Sequence, residues 1–292
     1  MTGRVAGKVA LVTGAARGQG RSHAVRLAQE GADILAVDIC RQIDSVPYPM
    51  STPEDLDDTA RAVKDLGRNV VAVQADIRER AELREAVDAG IRTLGKLDVV
   101  VANAGIFPIA MGKPDITGWF DAVDVDLVGA MNTVAVAQPY LPDGASIVIT
   151  GSFAAMIHGY TDNPAVGPGG NGYDWAKHMI PEYVEQLAWQ LAPRFIRVNA
   201  VHPTTVATHM FLNEGMYKIF RPDLESPTRE DAEVAACTVQ AMPIPYIEPI
   251  DVSNAVLYFA SDESRYVTGT QHRIDAGAYL KMRALSPEKV KT

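Results

Sequence analysis

Short runs rich in β-branched residues alternate with longer amphipathic stretches along the chain: 9–12, 34–37, 70–73, 99–101, 147–149, 198–201 and a final 271–275. Apolar runs of this length between helices predict a parallel sheet covered on both faces, with about seven strands. Helix punctuation agrees. Gly31 follows the stretch 21–30, and Thr52-Pro53-Glu54-Asp55 supplies an N-cap, a proline at the first helical position and acids in the first turn, with Gly67 closing that helix. Three regions resist the alternation: 39–51, 154–172 and 204–249, the last with clustered Pro, Met and aromatic residues. Long connections of this kind are usually functional, and 204–249 is expected to hold a substrate lid. Residues 281–292 are expected to form a flexible tail or a subunit contact.

With 292 residues, 47% hydrophobic and 22% charged, the chain reads as one α/β domain spanning 1–292. Its formal charge of −9 repels phosphate backbones and anionic lipid, so neither nucleic acid nor a membrane is an expected partner. Cys40 and Cys237 are the only cysteines and have no metal-ligand spacing, so no metal and no disulfide framework is expected. The apolar run 9–12 is too short for a signal or spanning segment. A cytoplasmic location is the expectation.

The first strand runs into Thr13-Gly14-Ala15-Ala16-Arg17-Gly18-Gln19-Gly20 and then a helix, the context a dinucleotide fingerprint requires. Gly14 permits a tight turn, Gly18 a close backbone approach to pyrophosphate and Gly20 close packing of helix on strand, with the helix N-terminus facing the phosphates. A Gly-rich turn alone is weak evidence for this, but Asp38 ends the second strand eighteen residues after Gly20, near the ~20 expected of a ribose-binding acid. Its carboxylate accepts ribose hydroxyls and repels a 2′-phosphate, which favours NAD over NADP. Arg17 and Arg41 are the two cations able to oppose that preference. Asp76, ending the third strand, is placed to meet the adenine; Ile39 and Ile77 follow these two acids and join the cofactor set. Asn103-Ala104-Gly105 lets backbone pass close to the cofactor.

Tyr173 and Lys177 lie four residues apart, on one face of a helix. A free tyrosine has a pKa of ~10, and each unit of lowering by a nearby ammonium is worth about 1.4 kcal/mol. Lys177 would thus make Tyr173 a usable base for an alcohol or acid for a ketone. The same spacing also suits a core tyrosine beside a surface lysine. Ser152 at the carboxyl end of the fifth strand, where ligands bind in open α/β sheets, favours the catalytic reading.

Thr13-Gly-x-x-x-Gly18-x-Gly20, Asn103-Ala-Gly105, Ser152 and Tyr173-x-x-x-Lys177 together resemble the short-chain dehydrogenase/reductase family. The resemblance implies a doubly wound Rossmann sheet of order 3-2-1-4-5-6-7 and a homotetramer. It implies that Lys177 bonds the nicotinamide ribose and that the Val206 backbone, with Thr208, meets the carboxamide; Pro203 joins the cofactor set. Two features depart from the family pattern. Asp126 stands where members usually carry an Asn that holds a relay water; an ionised Asp126 would pair with Lys177 and weaken its pull on Tyr173. Asn132 falls on a different helix face and is no substitute. The interval from Ser152 to Tyr173 is also longer than usual, which implies an enlarged wall through 156–160 and 163–172. His158 in that wall reads as a loop residue.

The turn Thr13-Gly-Ala-Ala-Arg-Gly-Gln-Gly-Arg-Ser-His23-Ala24, the insertion containing Tyr48-Pro49-Met50-Ser51-Thr52-Pro53-Glu54-Asp55-Leu56, and His202-Pro-Thr-Thr-Val206 resemble the carveol-dehydrogenase-like, mycofactocin-coupled branch. That branch implies tightly retained NAD and electron transfer to a peptide-derived redox carrier, mycofactocin. The loop 39–51 could fold over the adenosine end and slow release, or be a surface excursion. Phe153, Tyr160, Met210 and Phe211 are the expected substrate contacts. Such apolar, Met-containing walls suit bulky secondary alcohols or ketones of terpenoid or cyclic type. Alternatives are an NADPH-dependent 3-oxoacyl-type ketoreductase, against which Asp38 and the acidic surface argue, and an NAD-binding scaffold with impaired catalysis, which only Asp126 supports.

Overall fold

Each expected run becomes a strand: β1 (Val9–Thr13), β2 (Asp33–Asp38), β3 (Val70–Gln74), β4 (Val99–Ala102), β5 (Ser146–Thr150), β6 (Arg197–Pro203) and β7 (Gln271–Ile274). The computed structural model describes residues 3–109, 115–157 and 166–284. The strands form one sheet of order β3-β2-β1-β4-β5-β6-β7, and every neighbouring pair is parallel. The order reverses between β1 and β4, so a crevice opens there at the carboxyl ends of the strands.

Alternation along the buried strands divides the core in two. Leu11 of β1 packs with Leu35, Val100 and Ile147 beneath α3 (Arg80–Leu94), α5 (Ala130–Ala137) and α6 (Gly167–Leu191). Ala10 and Val12 pack on the other face beneath α1 (Gly18–Gln29), α2 (Pro53–Asp65) and α9 (Pro249–Ala260). Truncating a fully buried leucine such as Leu11 to alanine costs about 2–5 kcal/mol. The outer strands β3 and β7 are only half-buried.

α2 opens as the sequence predicts, on a reciprocal capping box between Thr52 and Asp55 with Pro53 in its first turn. α1 opens differently. Arg17 provides no side-chain cap and the first turn carries no acid, so its leading N–H groups stay available to an anion.

Three features differ from the expectation. Between α4 (Thr117–Val123) and α5, residues Asp124–Gly129 wind as a π-helix, a local widening frequent at functional sites. The region 204–249 contains α7 (Glu214–Phe220) and α8 (Arg229–Ala236). Each is too short to show apolar periodicity, although Asn213 and Thr228 cap them with side chains that accept from Met216 N and Asp231 N. The first residues of the segment 281–292, expected as a flexible tail or a subunit contact, are helical, since α10 covers Ala278–Ala284 and Lys281 Nζ donates to the Gln240 carbonyl at 3.0 Å; residues 285–292 lie outside the described set. No helix among the described residues is long and apolar enough to cross a membrane.

Candidate active site

The turn after β1 is as tight as its glycines suggest. Gly14 has φ +67°, and a Cβ there would sit 2.8 Å from the Ala104 Cα; one on Gly20 would sit 2.0 Å from the Gly14 carbonyl oxygen. Helix, turn and the segment after β4 can therefore close on one another only without side chains. Asn103 ties them together. Its amide donates to the Thr13 carbonyl at 3.1 Å and its oxygen accepts from Thr150 Oγ1 at 3.2 Å, joining the ends of β1, β4 and β5.

A cleft of about 160 Å³ lies over this turn. The expected cofactor residues Gly14, Arg17, Gly18, Gln19, Gly20, Asp38, Ile39, Asp76, Ile77, Asn103, Ala104, Gly105, Tyr173, Lys177 and Thr208 all line it, as does Asp126. The buried Asp38 carboxylate already accepts from Ala16 N at 2.9 Å, Cys40 N at 3.1 Å and Ser51 Oγ at 2.6 Å. A carboxylate has about four acceptor positions, so the remaining capacity suits a hydroxyl donor. Of the two arginines able to attract a further phosphate, Arg17 donates to the Pro49 carbonyl at 2.5 Å and Arg41 to Asp76 at 2.9 Å. Arg78 also grips Asp76, at 2.7 Å. These partners hold the Asp76 carboxyl below its ordinary range despite burial, which pushes the other way.

The loop 39–51 is packed and internally bonded, not a surface excursion. Gln42 Nε2 donates to the carbonyls of Ile43, Val46 and Tyr48, and Ser45 Oγ reaches Asp121 at 2.6 Å. Ile43, Val46 and Tyr48 are buried in the core that includes α3 and α6.

At the inner end of the cleft, α6 delivers Tyr173 and Lys177 from successive turns. Lys177 Nζ donates to the Thr150 carbonyl at 3.0 Å and lies 3.1 Å from Asp126 Oδ1. Asp126 Oδ2 accepts from Ile106 N at 3.3 Å. Burial pushes the Asp126 carboxyl up to about 6, although the Lys177 ammonium pulls it down. The tyrosine responds to this pair. Burial raises the Tyr173 pKa, the Asp126 charge raises it further, and a hydrogen bond with Ser152 lowers it. The simple expectation of a Tyr173 brought down by Lys177 alone is therefore altered: the lysine, 5.6 Å from the ring centroid, shares its charge with Asp126. Asn132 bonds instead to the carbonyls of Ile77 and Arg78 at 3.0 and 3.2 Å.

Ser152 is buried at the end of β5, where its oxygen accepts from Ala154 N at 3.2 Å. His202, fully buried on β6, braces it from behind. Its Nδ1 accepts from Ser152 N at 3.2 Å, and its Nε2 donates to Gln271 Oε1 at 2.8 Å. Burial lowers the His202 pKa, so it serves as a neutral strut. The sequence marked His202 only as part of a motif, because its partners are far away in the chain.

A second cavity, of about 380 Å³, opens on the other side of Tyr173. Ser152, Phe153, Met210 and Phe211 line it as expected, joined by Phe107, Val166, Met216, Ile219 and Phe220; Pro203 and Val206, expected at the cofactor, line this cavity and not the charged cleft, and Thr208 lines both. No charged residue occurs among its described lining. Tyr160 and His158 lie outside the described residues. Of the segment 163–172, residues 167–172 belong to the first turns of α6.

The family model described as enoyl-(acyl carrier protein) reductase matches residues 14–279. A (-)-trans-carveol dehydrogenase of Rhodococcus erythropolis is 46% identical over 283 residues, 95% of this chain and 99% of that protein. A trans-4-hydroxycyclohexanecarboxylate dehydrogenase of Sinomonas cyclohexanicum is 32% identical, covering 94% of this chain and 93% of its own. Among solved structures, carveol dehydrogenase from Mycobacterium avium in complex with NAD superposes with a TM-score of 0.90 at 47% identity, over 96% of this chain and all of that one. The doubly wound sheet, the turn after β1, the cluster at Ser152, Tyr173 and Lys177, and these full-length likenesses agree: the chain is an oxidoreductase that belongs to the short-chain dehydrogenase/reductase family.

Proposed function

We propose that the protein binds NAD in the charged cleft and interconverts bulky apolar secondary alcohols and ketones, of cyclic or terpenoid type, in the adjoining cavity. The observation that carries this reading is the position of Tyr173, the sole titratable side chain among the described residues shared by both linings. A phenol at the meeting point of a polar cleft and an uncharged cavity can take the proton that alcohol oxidation releases and return the one that ketone reduction consumes. The Mycobacterium avium relative, with NAD bound, and the carveol dehydrogenase activity of the Rhodococcus protein support the same pairing of cofactor and substrate class.

The uncapped start of α1 and its glycine turn suit pyrophosphate. Asp38 suits the adenosine ribose, and with Arg17 and Arg41 both engaged the cleft offers a 2′-phosphate little attraction. Pro203, Val206 and Thr208 would face the carboxamide. Bound NAD supplies the hydride acceptor in the oxidative direction.

Ser152 holds the substrate oxygen. Tyr173, as general base, takes the hydroxyl proton while the carbon hydrogen leaves as hydride; in reduction it returns that proton to the developing alkoxide. Lys177 orients the nicotinamide ribose and shares its charge with Asp126, whose carboxyl burial pushes up to about 6. Phe153, Met210 and Phe211 shape the apolar wall.

The packed loop 39–51 favours tight retention of NAD, with electrons passed on to a mycofactocin-type peptide-derived carrier. A homotetramer is the assembly we favour: Ile116, Phe120, Val128, Met131, Trp175 and Met179 are exposed apolar side chains on the neighbouring elements α4, the π segment, α5 and α6. Two free cysteines accord with a cytoplasmic location.

A second reading, an impaired scaffold, draws on the Asp126–Lys177 pair alone. Screening secondary alcohols with a dye as final acceptor, while measuring the nucleotide that copurifies, separates the two. Alcohol-dependent reduction of bound nucleotide supports the enzyme; nucleotide that no alcohol reduces and no ketone oxidises supports the scaffold.

A further inference from the structure

One buried phenol has no part in the chemistry above. Tyr48, 5% exposed, comes from the loop 39–51 yet lines the charged cleft together with Asp126, Tyr173 and Lys177. Its oxygen accepts from Phe107 N at 3.1 Å. A phenol is donor and acceptor at once, and the hydrogen of this one has no acceptor among the described residues. Burial and the nearby Asp126 charge raise its pKa, so it stays a neutral donor throughout the working pH range.

The placement links two distant parts of the chain. Phe107 follows the Asn103-Ala104-Gly105 segment, its ring lies 4.8 Å from that of Tyr173, and it lines the apolar cavity. The other end of the same loop is fastened to the ribose-binding acid through Ser51 and Asp38 at 2.6 Å. A loop that served only to cover the adenosine end would have no need to carry a buried hydroxyl to the reacting end.

We propose that Tyr48 is a nucleotide-positioning residue, whose phenol, aimed by the Phe107 N–H, donates its hydrogen to an oxygen of the nicotinamide-ribose half of the dinucleotide. The loop thereby holds both halves of the nucleotide. This rests on the assignment of NAD to the charged cleft. It deepens that assignment by placing a donor from the insertion beside Lys177, so that the reacting half is fixed from two sides.

The test compares Tyr48→Phe with the parent, both freed of nucleotide, using NAD and AMP as calorimetric probes. AMP lacks the nicotinamide-ribose half. The expected result is a roughly tenfold weaker NAD affinity, equal to about 1.4 kcal/mol, with AMP affinity changed less than about twofold. The rise in Tm on adding NAD, taken against each protein's own unliganded Tm, should shrink in the variant; this readout also serves if the variant is less stable. Ser45→Ala, which loosens the loop at Asp121 and leaves the phenol in place, should weaken NAD and AMP alike. Equal NAD affinity in Tyr48→Phe and parent would overturn the proposal while the functional reading stands, and so would an equal loss for NAD and AMP. A parent protein that binds no NAD overturns both.

Discussion

The two cavities that meet at Tyr173 are built from opposite materials. The cleft over the turn after β1 is made of backbone, carboxylates and cations, each fixed by several bonds: Asp38 by three donors, Asp76 by two arginines, Lys177 by Thr150 and Asp126. The cavity beyond Tyr173 is walled by Phe, Met, Ile and Val from the region 204–249 and the segments after β4 and β5, with no charge among its described lining. A dinucleotide presents fixed charges and hydroxyls, which demand fixed partners. A bulky alcohol presents mostly apolar surface, which any well-shaped wall accepts. On the proposed assignment of the two cavities, specificity for the cofactor resides in hydrogen-bond geometry and specificity for the substrate in shape.

Substitutions can break this division, and the largest effect belongs to the residue both cavities share. Tyr173→Phe should lower kcat by about a thousandfold, the usual scale of a lost general acid/base, while NAD affinity by calorimetry stays within about twofold. A comparable loss of NAD binding would mean that Tyr173 serves the cleft and not the reaction. Asp38→Asn acts on the cleft alone. It removes the charge that repels a 2′-phosphate and should shift the ratio of kcat/KM for NAD over NADP toward NADP by about tenfold or more, on the ~1.5–3 kcal/mol scale of charged hydrogen bonds. Met216→Ala acts on the cavity alone. Its expected mark is a KM about tenfold higher for a bulky cyclic alcohol, within the ~1–3 kcal/mol of lost apolar contact, with NAD affinity unmoved.

The smallest expected effect concerns the seam between the two regions. Asp126→Asn removes a negative charge that raises Tyr173. The alkaline-rising limb of kcat/KM for alcohol oxidation should therefore move down by about one pH unit; an unmoved limb would detach Asp126 from the catalytic proton. The same carboxyl binds its proton more tightly in the folded protein, up to about 6, than in the unfolded chain. Between its unfolded value and about pH 6 the folded state holds the extra proton, so this group's contribution to stability falls as pH rises. Relative to the parent, the Asp126→Asn variant's Tm should accordingly rise between pH 4 and 7.

How much of this was legible follows the same division. The seven strands, the turn at Gly14 to Gly20, Asp38 and the Tyr173–Lys177 spacing are local signals with a fixed physical meaning, and each lies where the sequence predicts, whereas the strand order came with the family resemblance. The pairing of Asp126 with Lys177 was legible too, since one substituted residue suffices to announce it. The π-helical turn at Asp124–Gly129 was not, because its sequence reads equally well as α-helix. Nor was the role of Tyr48, whose partner Phe107 lies fifty-nine residues on. The helices within 204–249 escaped detection because two turns give no period, although their caps at Asn213 and Thr228 were open to view.

The most direct test of the account is a single turnover. Purified protein loaded with NAD is mixed with a cyclic secondary alcohol, and the nicotinamide absorbance is followed in parent and Tyr173→Phe side by side. The account expects stoichiometric reduction of the nucleotide in the parent and none on the same timescale in the variant, although both hold NAD. Equal rates in the two proteins, or a fully loaded parent that no secondary alcohol reduces and no ketone reoxidises, would contradict it.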